Sequence, residues 1–320
     1  MWENPSAWKN QRGVKMLVVL SFCVIAVMRV VQKVCSKKVS NAVDGKIFFH
    51  YGGYYNLFSA LFSVITLCIV GFYGFDMPTV LCALGTAVFM AIELFSSIEA
   101  LKGCSLIVSQ MFSVGALFIP CLIGIFLFDE PMSLWQWVGL ALFMVSMYFL
   151  IAPAKKETAD NPKQKMSVKT LIMLVLSLIA GGFVMVLQKV FAVLVPNGNV
   201  ATYSFLMFAL NALLLYACYA VLAFKKTKQT VEKSDRGWKP LSKVLLICGG
   251  FLALAVFAIN QLVTTIAKTV PSAILYTVSY AISILITLLV GVFYYKEKLT
   301  LKNVVGIVLC LGSILIINLL

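Results

Sequence analysis

Ten apolar stretches, each about twenty residues or longer, make up most of this 320-residue sequence. The hydrocarbon core of a bilayer is about 30 Å thick, and a helix needs roughly 20 apolar residues to cross it. Because lipid offers the backbone no hydrogen-bond partner, and because the runs lack the alternation of a barrel strand, each stretch is predicted to be a helix. The sequence therefore predicts an all-α integral membrane protein with ten transmembrane helices, at 14–35, 52–73, 78–99, 104–127, 133–152, 168–190, 199–223, 241–266, 271–295 and 301–320.

The composition supports this class and argues against several chemistries. The chain is 62% hydrophobic and only 12% charged, whereas a soluble domain is about a quarter charged. It has one histidine, and its nine cysteines lie in or beside apolar runs without a Cys-x-x-Cys pair, so we expect no metal site. We likewise expect no cofactor, no catalytic residues and no nucleic-acid partner, since a net charge of +14 is typical of the basic loops of a membrane protein.

A short motif recurs near the end of each half of the chain. Glu130 is followed nine residues later by Gly139, and Glu297 is followed nine residues later by Gly306. Near the start of each half, the pair Gln32-Lys33 recurs as Gln188-Lys189. The charged segment 154–167 lies between the halves, which predicts a first repeat at 1–153, a linker, and a second repeat at 168–320.

Each half contains five of the ten predicted spans. A unit with an odd number of spans must insert in the opposite sense when it is duplicated. The sequence therefore predicts two inverted five-helix repeats, an architecture found in secondary transporters whose binding site lies between the repeats near the membrane midplane.

The recurring Glu…Gly motif and the two five-helix halves resemble the drug/metabolite transporter superfamily, and its EamA-type branch most closely. The resemblance covers essentially the whole chain. It implies a secondary transporter that moves a small metabolite or drug-like solute by alternating access through a central polar cavity. The implied partners are membrane lipids, a small-molecule substrate, and a coupling proton or counter-solute. The short loops and the lack of a targeting signal favour the plasma membrane of a bacterial cell, and an organellar membrane stays open as the alternative.

Other functions stay open at the level of sequence. A lipid flippase or a channel-like protein would share the same composition. An intramembrane enzyme has less support, because the sequence lacks the short catalytic motifs of hydrolases and metalloproteases.

The distribution of basic residues predicts the orientation of the chain. Most of the 26 lysines and arginines lie in the loops that follow the odd-numbered spans, and few lie on the face of the two termini. The positive-inside rule then places both termini outside the cytoplasm. The family resemblance implies the opposite orientation.

Two opposite charges fall at equal depth within the predicted membrane spans. Arg29 lies in the first span and Glu93 in the third, about 15 residues from the start of each, and these two spans run in the same direction. Charges inside a membrane are costly and mark functional sites. We expect the two side chains to form an ion pair in the central cavity, which either binds substrate or a coupling proton or holds the helices together.

Further polar residues within the spans are candidates for lining the cavity or for hydrogen bonds between helices. The candidates for substrate or coupling contacts are Gln110, Asn260, Gln261, Tyr276, Ser279 and Tyr280. The recurring Gln32, Lys33, Gln188 and Lys189 are candidate gate residues, or else lysines that reach to the membrane surface at the helix ends. Glu130, Gly139, Glu297 and Gly306 are assigned a structural role, with each glutamate complementing a helix dipole. Pro120 is expected to kink the fourth span.

Overall fold

The computed structural model describes residues 12–43, 45–72, 74–128, 133–151, 167–195, 198–225, 241–296 and 301–319. These residues form helices joined by short connections, and no strand occurs within these ranges. The first six helices are α1 (Arg12–Ser40), α2 (Gly45–Val70), α3 (Met77–Gly103), α4 (Leu106–Gly115), α5 (Phe118–Phe128) and α6 (Leu134–Ile151). The second half contributes α7 (Val168–Leu194), α8 (Val200–Lys225), α9 (Lys243–Ala267), α10 (Ser272–Leu289) with a π-helical turn at Val290–Tyr294, and α11 (Leu301–Leu319).

Eight helical stretches of the described chain are long and apolar enough to cross a membrane. They are Val18–Ser40, Ile47–Val70, Met77–Gly103, Leu106–Leu127, Val168–Leu194, Val200–Leu222, Lys243–Ala267 and Ile274–Tyr294. Two shorter apolar stretches, Leu134–Ser146 and Leu301–Ile316, lie on α6 and α11. The all-helical class is thus confirmed and eight spans are identified, while the count of ten stays a prediction.

The fourth predicted span is broken into two helices, as Pro120 predicted. Proline has no backbone N–H and its ring collides with the carbonyl of the residue four positions earlier, which here is Ala116. The helical ladder is interrupted at this point, and the Ala116 carbonyl accepts a bond from the Ile119 N–H at 3.3 Å instead. The chain resumes as α5 and continues in the same apolar span.

Several helices begin at a serine that caps the first turn. The hydroxyl of Ser105 accepts from the Val108 N–H, that of Ser167 from the Lys169 N–H, and that of Ser242 from the Leu245 N–H. Such caps satisfy backbone donors that have no partner within the helix. Ser167 is the one residue of the predicted linker that is described; 154–166, Glu130 and Glu297 lie outside the described residues.

The helices of the two halves pack against one another in matched pairs. Helix α3 packs against α7, and α1 packs against α9; α3 also contacts α8, and α2 contacts α9. Helix α1 contacts α10, and α7 contacts α4 and α5. If α1, α2, α3 and the pair α4–α5 are replaced by α7, α8, α9 and α10 in that order, and the reverse, each of these contacts becomes the other contact of its pair. The contacts of α2 with α8 and of α6 with α11 are unchanged by this exchange.

Two buried apolar clusters form the interior. The first includes Phe22, Met111, Ile259 and Ile284 and extends over α1, α3 to α7 and α9 to α11. The second includes Tyr51, Leu94, Phe208 and Leu252 and extends over α1, α2, α3 and α7 to α9. Helices α1, α3, α7 and α9 contribute to both clusters, so the boundary between the clusters falls along these four helices.

Close helix contact in the middle of α7 depends on glycine. A Cβ atom on Gly182 would lie 2.7 Å from Ile119 Cβ and 2.9 Å from the backbone oxygen of Ala116, at the break between α4 and α5. Gly249 of α9 similarly meets the ring of Tyr54, whereas the neighbouring Gly250 has open space around it.

We predict that Gly182→Ala destabilises the protein by about 1–3 kcal/mol, because the added methyl group meets backbone that cannot retreat without shifting a helix. Gly250→Ala is the matched control, and it should leave stability unchanged or raise it slightly, since alanine is the better helix former. Denaturant or thermal unfolding of the purified protein in detergent measures both. Equal stability of the two variants would contradict the packing at Gly182.

Candidate functional site

A cavity of about 60 Å³ lies among α1, α3, α7, α9 and α10. Its polar lining consists of Arg29, Gln32, Glu93, Gln188, Asn260 and Tyr280. Its apolar lining consists of Met90, Val184, Met185, Val256 and Ile259. Since a buried water needs roughly 10–15 Å³ of such space, the cavity has room for only a few water-sized groups.

The cavity sits where the two apolar clusters meet. Met185, Ile259 and Tyr280 of its wall belong to the first cluster, and Met90 and Val256 belong to the second. Helices from both halves of the chain therefore supply its walls. Four of the candidate contacts from the sequence line it, and two of the candidate gate residues, Gln32 and Gln188, line it as well.

Arg29 is held by an aromatic ring. Its guanidinium carbon lies 3.9 Å from the centroid of the Tyr280 ring, a cation–π contact between α1 and α10. The Arg29 Nε–H is buried and makes no hydrogen bond within the described part of the chain.

The predicted ion pair between Arg29 and Glu93 is not formed. Both side chains line the same cavity, as their equal depth suggested, but they are not within salt-bridge distance among the residues that the structure describes. Equal depth along two helices does not specify which way the side chains turn, and Tyr280 of a third helix takes the guanidinium instead.

Glu93 packs against the backbone of α7. A Cβ atom on Gly181 would lie 3.5 Å from the Glu93 carboxyl carbon, so the glycine leaves room for this carboxylate between α3 and α7. The two cations whose charges act on Glu93, Arg29 and Lys33, both come from α1.

Lys33, which follows the cavity residue Gln32, is buried against α4. Its Nζ donates to Ser113 Oγ at 2.6 Å and approaches Ser109 Oγ at 3.4 Å, both on α4. The reading of Lys33 as a lysine near a helix end is wrong, because α1 does not stop at residue 35. It continues to Ser40, where Lys37 donates to the carbonyls of Leu101 and Cys104 at the end of α3.

Lys189 makes a different contact from its counterpart in the first half. It is buried, and its Nζ donates to the carbonyls of Ala267 and Val270, each at 3.2 Å. A cation at the C-terminus of a helix satisfies free carbonyls and complements the helix dipole. Lys189 thus satisfies carbonyls at the C-terminal end of α9, as Lys37 does at the C-terminal end of α3.

An amide pair joins α7 to α9 in the wall of the cavity. Gln188 Nε2 donates to Asn260 Oδ1, and Asn260 Nδ2 donates to the Val256 carbonyl at 2.7 Å. These bonds fix the orientation of Asn260.

The remaining candidates lie outside the cavity wall. Gln261 accepts from the Ser204 hydroxyl at 2.8 Å, and the Tyr276 hydroxyl donates to the Met185 carbonyl at 2.9 Å. Ser279 donates to the Leu275 carbonyl in its own helix, and Gln110 Nε2 approaches Ser283 Oγ at 3.4 Å. Gly139 and Gly306 are buried on α6 and α11, which pack together.

A second, smaller cavity of about 30 Å³ adjoins the first. It shares Gln32, Met90, Glu93 and Val256 with the first cavity and adds Ser36, Tyr55 and Ser97. The sequence analysis missed these three residues. The helical spacing contained a signal for two of them, because Ser36 follows Gln32 by four residues and Ser97 follows Glu93 by four, which places each pair on one helix face.

The chemistry of the two cavities suits binding better than bond breaking. Among the described residues, no group of three or more His, Cys, Asp or Glu side chains could hold a metal ion. Charged, amide and hydroxyl groups with an apolar wall are typical of a site for a small organic solute.

Comparison with known proteins identifies the second half of the chain. Residues 168–319 match the model of the EamA-like transporter family, part of the drug/metabolite transporter superfamily. The second half of the chain is therefore similar to the EamA-like transporter family. The predicted resemblance is thereby confirmed, and the family consists of membrane transporters of small solutes rather than enzymes. The helices and this match together identify an integral membrane protein.

The fold extends the comparison to the whole chain. A solved structure titled "Crystal structure of protein" superimposes with a TM-score of 0.63 at 13% identity, and the match covers 95% of this chain and 97% of the other. At this identity the likeness concerns the fold alone. The search of curated proteins finds no match.

We predict that Tyr280→Leu destabilises the protein by about 1–2 kcal/mol, because the Arg29 guanidinium loses the ring that it rests on. Tyr280→Phe is the matched control; it keeps the ring and should stay closer to wild type. Unfolding midpoints of the purified proteins measure the difference. If the two substitutions cost the same, the ring does not stabilise the cation.

Proposed function

We propose that the chain is a secondary transporter that moves a small metabolite or drug-like solute by alternating access. The observation that carries this proposal is the cavity at the junction of the two apolar clusters, lined by a guanidinium, a carboxylate and three side-chain amides within the membrane-spanning helices. Charged side chains are expensive at this depth, and transporters retain them where a substrate or ion passes.

The matched helix contacts support an arrangement of ten spans as two inverted five-helix repeats. A contact set that is preserved when the helices of one half replace those of the other is what a duplicated unit would produce. In such transporters the substrate site lies between the repeats, and the repeats rock against each other around it. The boundaries 1–153 and 168–320 that we predict for the repeats place walls of the cavity in both.

The small volume of the cavity fits a compact state of a moving protein. Binding sites for small molecules occupy roughly 300–1,000 Å³, several times the space present here. A metabolite can enter only if helices separate. The second cavity extends from the first between Ser36 of α1 and Leu252 of α9, and we propose that the solute leaves along this line.

The proposed contact residues are those of the cavity wall, and Lys33, which acts on Glu93, joins Gln32 as a candidate gate residue. The proposed partners are the surrounding lipids, one solute, and a coupling proton or counter-solute. The proposed location is the cytoplasmic membrane of a bacterium.

We predict that purified protein in liposomes catalyses counterflow. A thermal-stability screen of metabolites in detergent first identifies ligands that raise the unfolding midpoint. Liposomes preloaded with such a ligand should then accumulate its labelled form transiently and saturably. A channel would equilibrate the label without stimulation by internal ligand, and a lipid flippase would move labelled lipid but not the ligand; either result would overturn the proposal.

We predict that a bond between α1 and α9 stops transport. The thiols of Cys35 and Cys248 contact each other next to the second cavity, on the proposed exit line. In a variant that keeps these two cysteines alone, copper–phenanthroline should join them, arrest counterflow and spare ligand binding, and a reductant should restore transport. In the control variant with Cys35→Ser, the oxidant should leave counterflow unchanged. Full transport by the cross-linked protein would rule out separation of α1 from α9.

A further inference from the structure

The charged groups around the cavity do not balance. Arg29 and Lys33 of α1 stand with the single carboxylate of Glu93, and these three groups interact electrostatically with one another. In their ordinary ionised forms they sum to one positive charge. A net charge away from water is costly unless a counter-charge or hydrogen bonds compensate it.

The structure provides only part of that compensation. Lys33 has the hydroxyls of Ser109 and Ser113, which are neutral acceptors. Arg29 has the ring of Tyr280 against one face of its guanidinium. A ring contact of this kind contributes roughly 0.5–2 kcal/mol. The Tyr280 hydroxyl also hydrogen-bonds the guanidinium, and the Nε–H is the donor left without an acceptor among the described residues.

The edge of the guanidinium is where a ligand could bind. The Arg29 Nε–H is buried without an acceptor among the described residues, and the side chain lines the cavity. A guanidinium binds planar oxyanions through two parallel hydrogen bonds, so a missing anion would account for an unsatisfied donor at this position. Two of the nearby amides, Gln188 and Asn260, are bonded to each other, and all three amides of the wall are neutral groups that cannot offset a positive charge.

We propose that the cavity binds the carboxylate of a small monovalent organic acid, with Arg29 as the residue that contacts its charge. The proposal rests on the transport function proposed above and specifies its substrate class. One negative charge cancels the excess of one positive charge. The apolar wall of Met90, Val184, Val256 and Ile259 suits the carbon skeleton of such an acid. A cationic or neutral analogue would leave the excess charge in place.

Matched ligand sets test the charge requirement directly. Each set holds one carbon skeleton with a carboxylate, a primary amide or an amine, for example phenylacetate, phenylacetamide and phenethylamine, and a phosphate monoester such as phenyl phosphate is the fourth arm. Ligand that binds the folded state raises its stability, so unfolding midpoints of the full chain in detergent report binding. We expect carboxylates alone to stabilise the protein. Stabilisation by phosphates alone, by amides or amines, or by no carboxylate of the panel overturns the proposal.

Substitutions that remove a positive or a negative charge, and should shift the affinity in opposite directions, test the site. Arg29→Met should weaken carboxylate binding roughly ten- to a hundredfold, the equivalent of losing a charged hydrogen bond, and Arg29→Lys should retain part of it. Glu93→Gln removes the one negative charge and should strengthen binding. The control Lys169→Met deletes an exposed cation of α7 and should leave binding unchanged. If Arg29→Met does not fold, Arg29→Lys and Glu93→Gln still give opposite shifts.

The outcome separates this inference from the transport proposal. Carboxylate binding that follows these shifts without counterflow of any ligand would sustain the binding site and end the transport proposal. Counterflow of neutral or cationic solutes, with carboxylates inert and Arg29→Met as active as wild type, would sustain transport and end the inference. Equal weakening by Glu93→Gln and Arg29→Met would also end it, because charge would then not be the property recognised.

Discussion

The cost of a polar group without a partner in lipid governs the arrangement of this protein. The helices satisfy their own backbones, but lysines, amides and a guanidinium within them need partners from other helices. Lys33 donates a hydrogen bond to a serine of α4, Lys189 donates to the last carbonyl of α9, and Gln188 donates to an amide oxygen of α9. Each of these bonds joins helices that are distant in sequence, so the polar groups also determine which helices are neighbours.

Close packing makes these contacts possible, and small residues permit the packing. Gly182 lets α7 approach the broken segment between α4 and α5, and Gly181 beside it makes space for the carboxylate of Glu93. The same two residues thus connect the apolar interior with the charged cavity. The glycine pair on α7 thus accommodates two different neighbours, the broken segment around Pro120 on one side and the carboxylate of Glu93 on the other.

Hydropathy predicted the helices because their length and apolar character follow from the thickness of the bilayer, whatever the partners are. It could not predict that α1 continues to Ser40, because the last turns carry Ser36 and Lys37, and the Lys37 ammonium takes its partners from carbonyls at the end of α3. It also placed Arg29 and Glu93 at one depth without showing that Tyr280 would take the guanidinium. Depth is a property of one helix, whereas the choice of partner depends on how three helices are rotated, which single-sequence periodicity does not contain.

The recurring Gln-Lys pairs show why sequence repetition and functional equivalence must be separated. In the second half, Lys189 satisfies the end of α9; in the first half the end of α3 is satisfied by Lys37, one turn later than the matching lysine. Lys33 does not serve that helix end; it donates to Ser113 of α4 instead, and its charge acts on Glu93. A shift of one helical turn between two copies of a motif is enough to move the lysine of one copy, Lys33, from a helix end to the serines of α4.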